Sequence, residues 1–371
     1  MSTPDFASLG LSPEMLAALE EKGFTQPSPI QAKVIPVLLS ADHDVIGQAH
    51  TGTGKTAAFA IPLIERLDPE IKETQALILA PTRELALQVC REFQSLQGAK
   101  RFNIVPIYGG SSYTEQFRAL KQGAHIVVGT PGRVLDHMDK GTLKINNLSY
   151  LVLDEADEML NMGFIEDVEA VLANSPDERT ILMFSATMPK RLMDIATRYM
   201  RNHELISVKQ EQLTTHLTEQ LFYEVKESDK FEALCRIIAA TQNFYGIVFC
   251  RTKADVDNVA AQLNQRGITA EGLHGDIQQN QREKVLRRFK ANVIRVLVAT
   301  DVAARGIDVQ ELSHVVNFSL PTDPETYVHR IGRTGRAGRE GTAISIITPS
   351  EFRKLSFIQK ITKGEIKRGK L

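Results

Sequence analysis

The stretch Ala49-His50-Thr51-Gly52-Thr53-Gly54-Lys55-Thr56 stands between a largely apolar run at residues 44–46 and a helix-forming segment at residues 57–61. This arrangement predicts a strand, a loop and a helix in that order. Glycines let backbone N–H groups turn towards an anion, and the N-terminus of the helix adds the positive end of its dipole. The stretch therefore predicts a phosphate-binding loop, although Ala49 stands where the strict pattern has glycine.

Two side chains of this loop carry the expected chemistry. Lys55 is placed to reach the β- and γ-phosphates of a nucleotide, and the hydroxyl of Thr56 can ligate Mg²⁺. The other nucleotide contacts in the loop are expected from Thr51, Gly52, Thr53 and Gly54. The alternative is an ordinary glycine-rich turn before a helix, which a Gly-Lys-Thr sequence after a strand disfavours.

The bulk properties of the chain indicate a globular protein of two domains. Its 371 residues exceed one ordinary core, and 43% apolar with 24% charged residues is typical of soluble proteins. No run of about 18 apolar residues is present, and residues 1–5 lack the pattern of a secretory signal. Because Cys90, Cys235 and Cys250 are isolated in the sequence, we expect reduced, buried thiols in a cytoplasmic protein.

Charge is distributed unevenly along the chain. The formal net charge is −1, but residues 211–371 contain 24 Lys and Arg against 19 Asp and Glu. A nearly neutral chain argues against indiscriminate binding of polyanions, whereas a basic second half is compatible with a nucleic-acid partner. The excess is modest, and simple solvation of the surface would also account for it.

Apolar runs alternate with helix-forming segments along both halves of the chain. The runs are residues 76–80, 104–108, 126–128, 150–153 and 181–184, and then 247–249, 270–273, 296–299, 315–318 and 343–347. In each half they predict an α/β fold, with a parallel β-sheet covered by helices on both faces. Ligand sites of such folds lie beyond the carboxyl ends of the strands, where polar clusters follow these runs.

A polar segment without strong periodicity, residues 206–217, separates the two halves. We expect the interdomain linker here, at residues 209–217, between an N-terminal domain at 1–208 and a C-terminal domain at 218–371. The second half has no Gly-Lys-Thr loop, so it is expected to share the architecture without its own nucleotide pocket. Residues 364–371 are basic and are expected to form a short tail.

Gln31 follows a segment that Pro27 and Pro29 hold extended, after a helix predicted at residues 11–22. A fixed amide donates one hydrogen bond and accepts another, which matches the N6 and N7 edge of adenine. Phe6 is a candidate to stack on the same base. Taken alone, Gln31 would be an ordinary residue at a helix start and Phe6 an ordinary core aromatic, but the phosphate loop favours the nucleotide interpretation.

An acidic cluster follows the apolar run at residues 150–153. Asp154 is expected to hold Mg²⁺ through water near the γ-phosphate, and Glu155 to orient or deprotonate the attacking water. Asp157 is expected to brace these groups from behind. The alternative is an acidic helix N-terminus stabilised by the helix dipole, and the upstream loop makes that interpretation the weaker one.

The second half carries a dense basic motif, His329-Arg330-Ile331-Gly332-Arg333-Thr334-Gly335-Arg336. Arg333 and Arg336 are candidates for arginine fingers that stabilise the γ-phosphate, a contact worth roughly 10³–10⁵ in rate. The alternative is a set of contacts to the phosphate backbone of RNA. We favour the finger interpretation because the second half would otherwise have no use for the nucleotide of the first.

Together these motifs resemble the DEAD-box RNA helicases, from about Phe6 to about Thr348. The resemblance also rests on residues 81–85, 109–110, 130–133, 185–187, 248–252, 279–282 and 299–308. It implies two tandem recombinase-like domains that close together on ATP and single-stranded RNA. It further implies RNA-stimulated ATP hydrolysis with Mg²⁺, coupled through domain closure to local unwinding of short RNA duplexes.

The resemblance implies a role for each matching residue. Nucleotide contacts outside the phosphate loop are implied for Phe6, Phe24, Gln31 and Asp308. RNA-backbone contacts are implied for Pro81, Arg83, Gly110, Thr130, Gly132 and Arg133 in the first domain and for Arg251, Gln279, Arg282 and Thr300 in the second. Coupling of the acidic cluster to the second domain is implied for Asp157, Ser185, Thr187 and His329. Backbone contacts of this kind bind RNA without a base code.

Two other classes of function compete with this expectation. A scaffold would use ATP only to lock its grip on RNA, and the completeness of the site residues disfavours it. A DNA-translocating helicase of the same superfamily is disfavoured by Gln31 with its flanking residues and by the Asp-Glu-Ala-Asp sequence at 154–157. Partners from ribosome assembly or RNA decay stay open, and no membrane association is expected.

Overall fold

The computed structural model describes residues 4–40, 43–49, 52–208, 218–304, 312–335, 340–362 and 364–370. The predictions for Thr51, Asp308, Arg336 and the linker at 209–217 lie outside these ranges. The chain divides into two compact units, Met1–Lys209 and Gln210–Leu371. Each unit has its own sheet and its own hydrophobic core.

The first unit is built on a seven-stranded sheet. Its strands are β1 (Val45–Gln48), β2 (Ala76–Leu79), β3 (Ile104–Ile107), β4 (Ile126–Gly129), β5 (Tyr150–Leu153), β6 (Thr180–Ser185) and β7 (Glu204–Ser207). Their order across the sheet is β3-β4-β2-β5-β6-β1-β7, and every pair is parallel. The prediction of a parallel sheet in the first half is therefore confirmed.

Helices cover both faces of this sheet. They are α1 (Pro13–Glu21), α2 (Pro29–Ser40), α3 (Lys55–Arg66), α4 (Arg83–Leu96), α5 (Tyr113–Lys121), α6 (Pro131–Asp139), α7 (Ala156–Asn161), α8 (Ile165–Ala173) and α9 (Lys190–Tyr199), after a 3₁₀ turn at Phe6–Leu9. Neighbouring residues of one strand, such as Val45 and Ile46, belong to different core clusters. Because successive side chains of a strand point to opposite faces, an all-apolar strand is buried on both sides.

The second unit repeats this architecture. Its strands are β8 (Thr218–Glu224), β9 (Gly246–Phe249), β10 (Ala270–Leu273), β11 (Val296–Ala299), β12 (His314–Asn317), β13 (Gly341–Ile347) and β14 (Lys367–Arg368), in the order β10-β11-β9-β12-β13-β8-β14. All pairs are again parallel. Its helices are α10 (Lys230–Ala240), α11 (Lys253–Gln265), α12 (Gln279–Lys290), α13 (Asp301–Ala304), α14 (Pro324–Ile331) and α15 (Phe352–Thr362), with 3₁₀ turns at Glu227–Asp229 and Pro349–Glu351.

Local capping explains where several helices begin. The Ser12 hydroxyl accepts a hydrogen bond from the Met15 N–H before α1, within the helix predicted at residues 11–22. Thr82 caps α4 in the same way, and Thr252 forms a reciprocal capping box with Asp255 at α11. Each cap satisfies a backbone donor that the first turn leaves unpaired, so the boundary follows from the side chain.

Three strands differ from the prediction. Ile206 and Ser207, which begin the polar segment at 206–217, pair with β1 as the end of a strand, β7, that was not predicted. β8 was not predicted, and Lys367 and Arg368 pair with it where a tail was expected. These strands lie at or next to the sheet edges, where one face or side meets solvent and the residues are too polar to form an apolar run.

No helix among the described residues combines the length and the apolar composition that crossing a membrane requires.

Gly129 ends β4 at a point where no side chain fits. A Cβ atom there would lie 2.5 Å from the carbonyl oxygen of Ile107 and 2.7 Å from the side chain of Val134. The oxygen belongs to the neighbouring strand β3, and β2 pairs with β4 on its other side. Neither neighbour can move without breaking the sheet, so this position requires glycine.

We expect Gly129→Ala to lower the free energy of unfolding of the first unit by about 1–3 kcal/mol, because the added methyl overpacks a buried sheet. Denaturant unfolding followed by circular dichroism measures this change. Gly109→Ala is the matched control, since a Cβ at Gly109 meets nothing within 4 Å. Equal stability of the two variants would contradict the close approach at Gly129.

Candidate functional site

The strand order sorts the predicted site residues of the first unit into two neighbouring groups. The phosphate loop, Asp154 with Glu155, and Ser185 with Thr187 follow β1, β5 and β6, which are adjacent in the sheet. The predicted RNA contacts follow β2, β3 and β4, which form the other side of the same sheet. Because carboxyl ends of parallel strands meet at one edge, both groups lie along that edge.

The phosphate loop is held by its glycines and its lysine. Gly52 and Gly54 have φ values of 84° and 85°, in the left-handed region that favours glycine. Lys55 begins α3 and is only 6% exposed, and its Nζ donates a hydrogen bond to the carbonyl oxygen of Ala49 at 2.8 Å. Thr56 is half-buried in the first turn of the helix. The ammonium group is therefore fixed at the base of the loop.

Gln31 is tied to the phosphate loop through its side-chain amide. Its Nε2 donates to the carbonyl oxygen of Gly54 at 3.1 Å, and its Oε1 accepts from the Ser28 N–H at 2.9 Å. A Cβ at Gly54 would come within 2.4 Å of this amide nitrogen. Gln31 thus connects the segment before α2 with the loop, and its contact with adenine stays a prediction.

Phe6 and Phe24 pack against each other. Their ring centroids are 6.2 Å apart with the planes inclined by 24°. Phe6 is buried in the core cluster of the first unit, whereas Phe24 is half-buried at its margin. The structure gives Phe6 the place of a core aromatic, and the predicted stacking of either ring on a base stays a prediction.

Asp154 and Glu155 form a constrained turn between β5 and α7. Asp154 is 2% exposed, and its backbone N–H donates to the carbonyl oxygen of Leu79 on β2 at 2.9 Å. Glu155 has a φ of 52°, in a region that residues other than glycine rarely adopt. Such strain persists only where the surrounding structure enforces it, and it is frequent at functional sites.

Burial, and after it the nearby charge of Glu155, raise the pKa of Asp154 to about 7, although Lys55 acts in the opposite direction. The carboxylate form of Asp154 is therefore disfavoured because the site holds more negative charge than Lys55 compensates. A ligand that brings positive charge to Asp154 would favour its ionised form. The arrangement suits a carboxylate that faces a bound cation.

Asp157 is bonded to the turn that follows β6. Its Oδ2 accepts from the Thr187 N–H at 2.8 Å and from the Thr187 hydroxyl at 3.0 Å, and its own N–H donates to the Ser185 hydroxyl at 3.2 Å. The Ser185 hydroxyl in turn donates to the Thr187 carbonyl oxygen at 2.6 Å. The acidic cluster and the Ser-Ala-Thr turn thus form one buried network, and its coupling to His329 stays a prediction.

The predicted RNA contacts after β2 and β3 lie next to each other. The guanidinium carbon of Arg83 lies 4.3 Å from the centroid of the Tyr108 ring, a cation–π contact between the two turns. Pro81 is buried at the end of β2. Gly110 is exposed with a φ of 77°, and a Cβ there would meet nothing, so the glycine is required by its backbone conformation.

The turn after β4 presents a further set of predicted contacts. Thr130 stands at the N-cap of α6 without a side-chain capping bond, and Gly132 is exposed in the first turn. Arg133 donates from Nη1 to the Oε1 of Gln116 at 3.1 Å. Gln116 was not singled out from the sequence, since a lone glutamine in a polar helix carries no local pattern.

In the second unit, the predicted RNA contacts follow three adjacent strands. Arg251 is exposed two residues after β9 ends at Phe249, and Thr300 follows β11. Gln279 and Arg282 lie in the first turns of α12, after β10. Arg282 donates to the carbonyl oxygen of Ala303 at 2.8 Å. These side chains therefore share one edge of the second sheet, with β11 between β10 and β9.

The basic motif of the second unit contains a buried arginine for which the sequence motifs predicted no role. Arg330 is 3% exposed and forms a fork to Asp301, with Nε–Oδ1 at 2.6 Å and Nη2–Oδ2 at 2.8 Å. Its Nη1 donates to Asn317 at 2.9 Å and to the Ser319 carbonyl oxygen at 2.7 Å, and its guanidinium lies over the Phe249 ring. The burial of Arg330 could have been predicted from the sequence, because the spacing of Tyr327 and Ile331 places position 330 on the buried face of α14.

Arg330 thereby fixes the surroundings of the predicted arginine finger. His329 lies in the last turn of α14, and Arg333 follows the helix in a half-buried position. Asp301 adjoins Thr300, so one buried guanidinium ties the predicted RNA contact at β11 to the helix that precedes Arg333. Bidentate Arg–carboxylate pairs of this kind give geometric precision as well as energy.

A glycine-rich loop with a buried lysine after β1 and a buried carboxylate after β5, with only β6 between the two strands, are typical of a nucleoside-triphosphate-binding α/β protein. Family models narrow this class: a DEAD/DEAH box helicase model matches residues 28–195, and a helicase conserved C-terminal domain model matches residues 229–338. The chain belongs to the DEAD/DEAH box helicase family. This finding confirms the family resemblance that the sequence motifs indicate.

Relatives of high similarity support this assignment. The chain is 52% identical over 365 residues to the DEAD-box ATP-dependent RNA helicase CshA of Geobacillus kaustophilus, covering 98% of this chain and 78% of that protein. Among solved structures, a DEAD box protein of Methanococcus jannaschii is 50% identical, with 99% of each chain covered and a TM-score of 0.58. Dbp5 of S. cerevisiae, solved bound to RNA and ADP BeF3, is 34% identical, with 98% of this chain and 95% of that chain covered and a TM-score of 0.89.

The raised pKa of Asp154 predicts a pH-dependent stability of the nucleotide-free chain. From about pH 4 upward the unfolded chain ionises this carboxyl, while the folded chain keeps the proton up to about pH 7. The folded state binds more protons in this window, so the contribution of Asp154 to stability falls as the pH rises through it. Above about pH 7 the loss is complete.

We expect Asp154→Asn to raise the free energy of unfolding of the first unit by about 2–4 kcal/mol above pH 7 and to change it little near pH 4. Urea unfolding of the nucleotide-free protein across this pH range measures the difference. Asp194→Asn is the control, because Asp194 is exposed on α9. A gain that is the same at all pH values would contradict the titration of Asp154.

Proposed function

We propose that this chain is an ATP-dependent RNA helicase that hydrolyses ATP in an RNA-stimulated manner and separates short RNA duplexes locally. The observation that carries the proposal is the shared sheet edge, where Lys55, Asp154 and Glu155 lie beside Arg83 and the other predicted RNA contacts. The name of the Geobacillus relative and the RNA and ADP BeF3 bound to Dbp5 support the same activity.

We propose ATP as the nucleotide and Mg²⁺ as its ion. The Asp154 carboxylate and the Thr56 hydroxyl are oxygen donors, which hard cations prefer, and the raised pKa of Asp154 indicates a site short of positive charge. No group of three His, Cys, Asp or Glu able to hold a metal occurs among the described residues, which suits an ion that takes most ligands from phosphates and water. When bound, Mg²⁺ neutralises charge on the β- and γ-phosphates.

Within this site we propose Glu155 as the group that orients or deprotonates the attacking water. Its strained backbone fixes the direction of the carboxylate, and the Asp157 network holds α7 from behind. Arg333 and Arg336 are proposed to stabilise the charge that develops on the γ-phosphate. Gln31 and Asp308 are proposed to contact the adenosine, with Phe6 and Phe24 near the base.

We propose that RNA is held through its backbone, without a base code. The proposed contacts are glycine turns, threonines and arginines at strand ends, namely Pro81, Arg83, Gly110, Thr130, Gly132, Arg133, Arg251, Gln279, Arg282 and Thr300. These residue types bind phosphate and sugar groups and position the strand. A cytoplasmic location, the domain limits at 1–208 and 218–371, and the closure of the domains stay predictions.

The proposal predicts that ATP turnover rises with single-stranded RNA and not with DNA of the same sequence. A steady-state phosphate-release assay with RNA, with DNA and without nucleic acid makes this comparison. ATP hydrolysis that RNA does not accelerate would favour a scaffold that uses ATP only to lock its grip. Equal stimulation by DNA would favour a DNA-translocating helicase.

We further expect Glu155→Gln to lower the RNA-stimulated kcat at least about 100-fold, since general-base catalysis contributes roughly 10²–10⁴ in rate. Binding of a fluorescent ATP analogue should change less than about threefold, because the amide keeps the size of the side chain. Glu158→Gln is the matched control, since Glu158 is equally buried one turn further along α7. Parent-level turnover in Glu155→Gln would remove Glu155 from the mechanism.

A further inference from the structure

Gln116 is a buried polar side chain between the turns that carry the proposed RNA contacts. It lies on α5, is 6% exposed, and reaches two other segments, the turn after β3 and helix α6. Its Nε2 donates to the Tyr108 carbonyl oxygen at 2.9 Å and to the Ser111 hydroxyl. Its Oε1 accepts from the Arg133 Nη1 at 3.1 Å and from the His137 Nε2 at 3.1 Å. Both ends of the amide are therefore fully used.

The orientation of this amide is fixed by its partners. A guanidinium can only donate, so the atom that faces Arg133 must be the oxygen of Gln116. The Tyr108 carbonyl can only accept, so the atom that faces it must be the nitrogen. A flipped amide would oppose both partners at once. Gln116 thus holds the arginine after β4 and the glycine turn after β3 at a fixed distance.

His137 extends the same chain of hydrogen bonds into the core of the unit. It is fully buried, and its Nε2 must carry the proton that it donates to Gln116. Burial and then the charge of Arg133 lower its pKa, which favours the neutral ring. Its Nδ1 lies 2.8 Å from the Thr142 hydroxyl. The Tyr113 hydroxyl lies 3.2 Å from that of Thr142, and its ring stacks on His137 with centroids 4.3 Å apart. These contacts fix the orientation of the His137 ring, and the ring helps to fix the Gln116 amide that accepts its hydrogen bond.

Without this amide, the Arg133 side chain has a competing partner. Its Nε lies 3.8 Å from the Oδ2 of Asp136, one turn further along α6. Loss of the Gln116 oxygen would leave two acceptors, the Ser111 carbonyl oxygen at 3.4 Å from Nη1 and this carboxylate. The negative charge of the carboxylate would draw the guanidinium towards it. An arginine that pairs with a carboxylate is less able to bind a phosphate, because the positive charge is already compensated.

We propose that Gln116 is a positioning residue for RNA binding, which sets Arg133 and the turn at Gly110 in the geometry that engages successive backbone phosphates. The inference rests on the proposed function, because it assigns a role to a side chain that touches the RNA contacts and not the RNA. Arg83 belongs to the same arrangement, since its guanidinium lies over the ring of Tyr108, whose carbonyl oxygen Gln116 holds.

The test is a double-mutant cycle on the full chain. Single-stranded RNA binding is measured by fluorescence anisotropy with a non-hydrolysable ATP analogue for Gln116→Met, Arg133→Ala and the double variant. We expect Gln116→Met to weaken RNA binding about tenfold, the scale of one hydrogen bond to a charged group. The double variant should lose less RNA-binding free energy than the sum of the two single losses, since Gln116 acts in part through Arg133.

Salt dependence supplies a second readout that a change in stability alone does not move. Loss of one engaged phosphate lowers the slope of log K against log salt by about 0.7 for a single strand. We expect this decrease in Gln116→Met, and no further decrease when Arg133→Ala is added. Binding of the ATP analogue without RNA should be unchanged in all variants, because the nucleotide groups follow other strands.

Gln75→Met is the matched control. Gln75 is 5% exposed in the same unit and also bonds to backbone groups, with Oε1 on the Asp68 N–H and Nε2 on the carbonyl oxygens of Asp68 and Ile71. It lies at the amino end of β2, away from the edge that carries the RNA contacts. It should lose stability as Gln116→Met does and keep the RNA affinity and the salt slope of the parent.

The outcomes separate the inference from the function it rests on. If the parent chain binds no RNA, the proposed function fails. If the parent binds RNA but the losses of Gln116→Met and Arg133→Ala add, or Gln116→Met keeps parent affinity, the positioning role is overturned. If Gln116→Met does not fold, Gln116→Asn tests the same claim, because its amide is one methylene too short to span Tyr108 and Arg133. The losses of Gln116→Asn and Arg133→Ala should again be non-additive, and additive losses would overturn the positioning role.

Discussion

Parallel pairing is the constraint on which the site of the first unit depends. It brings every carboxyl end to one edge, and the strand order then decides which groups become neighbours. The residues predicted to bind nucleotide and those predicted to bind RNA meet between β5 and β2. These two strands pair with Leu153 opposite Leu79. The Asp154 N–H donates to the Leu79 carbonyl oxygen. A main-chain hydrogen bond therefore joins the first residue of the acidic cluster to the strand that leads to Arg83, so neither can shift alone.

The side chains at this edge leave an excess of negative charge around Asp154. Asp154 is buried beside Glu155, and Lys55 supplies too little compensation to keep the Asp154 pKa low. The Lys55 ammonium meanwhile bonds to the backbone carbonyl oxygen of Ala49, which fixes its position at the base of the loop. Strain at Glu155 adds a second cost that the surrounding network sustains. A ligand that brings positive charge to Asp154 would relieve the charge imbalance, and the proposed nucleotide with its cation meets that requirement.

Most of this architecture could be predicted from local patterns, and the exceptions share a physical cause. Central strands such as β2 and β5 are continuous apolar runs because both faces are buried, and the polar residues that follow them are visible in the sequence. β7, β8 and β14 could not be recognised, since they lie near edges and alternate or expose polar residues. The site motifs are local as well. The roles of Gln116 and Arg330 do not appear in a local pattern, because their hydrogen-bond partners lie on other helices and turns.

Gln116 and Arg330 have the same structural role in the two units, because each fixes turns at a sheet edge relative to one another. Each is a polar side chain buried at strand ends, and each bonds to turns that follow different strands. Burial of such groups is costly unless every donor and acceptor is paired, so only one arrangement of the turns is compatible with folding. Apolar side chains would join the same turns with less directional preference. The RNA-backbone contacts proposed for this edge would need such directional bonds, because phosphates recur along a strand and an arginine that rotates away would not meet them. We therefore expect that replacing either residue by an apolar one makes the arrangement of the turns less well defined, and that the accompanying loss of stability is the smaller effect.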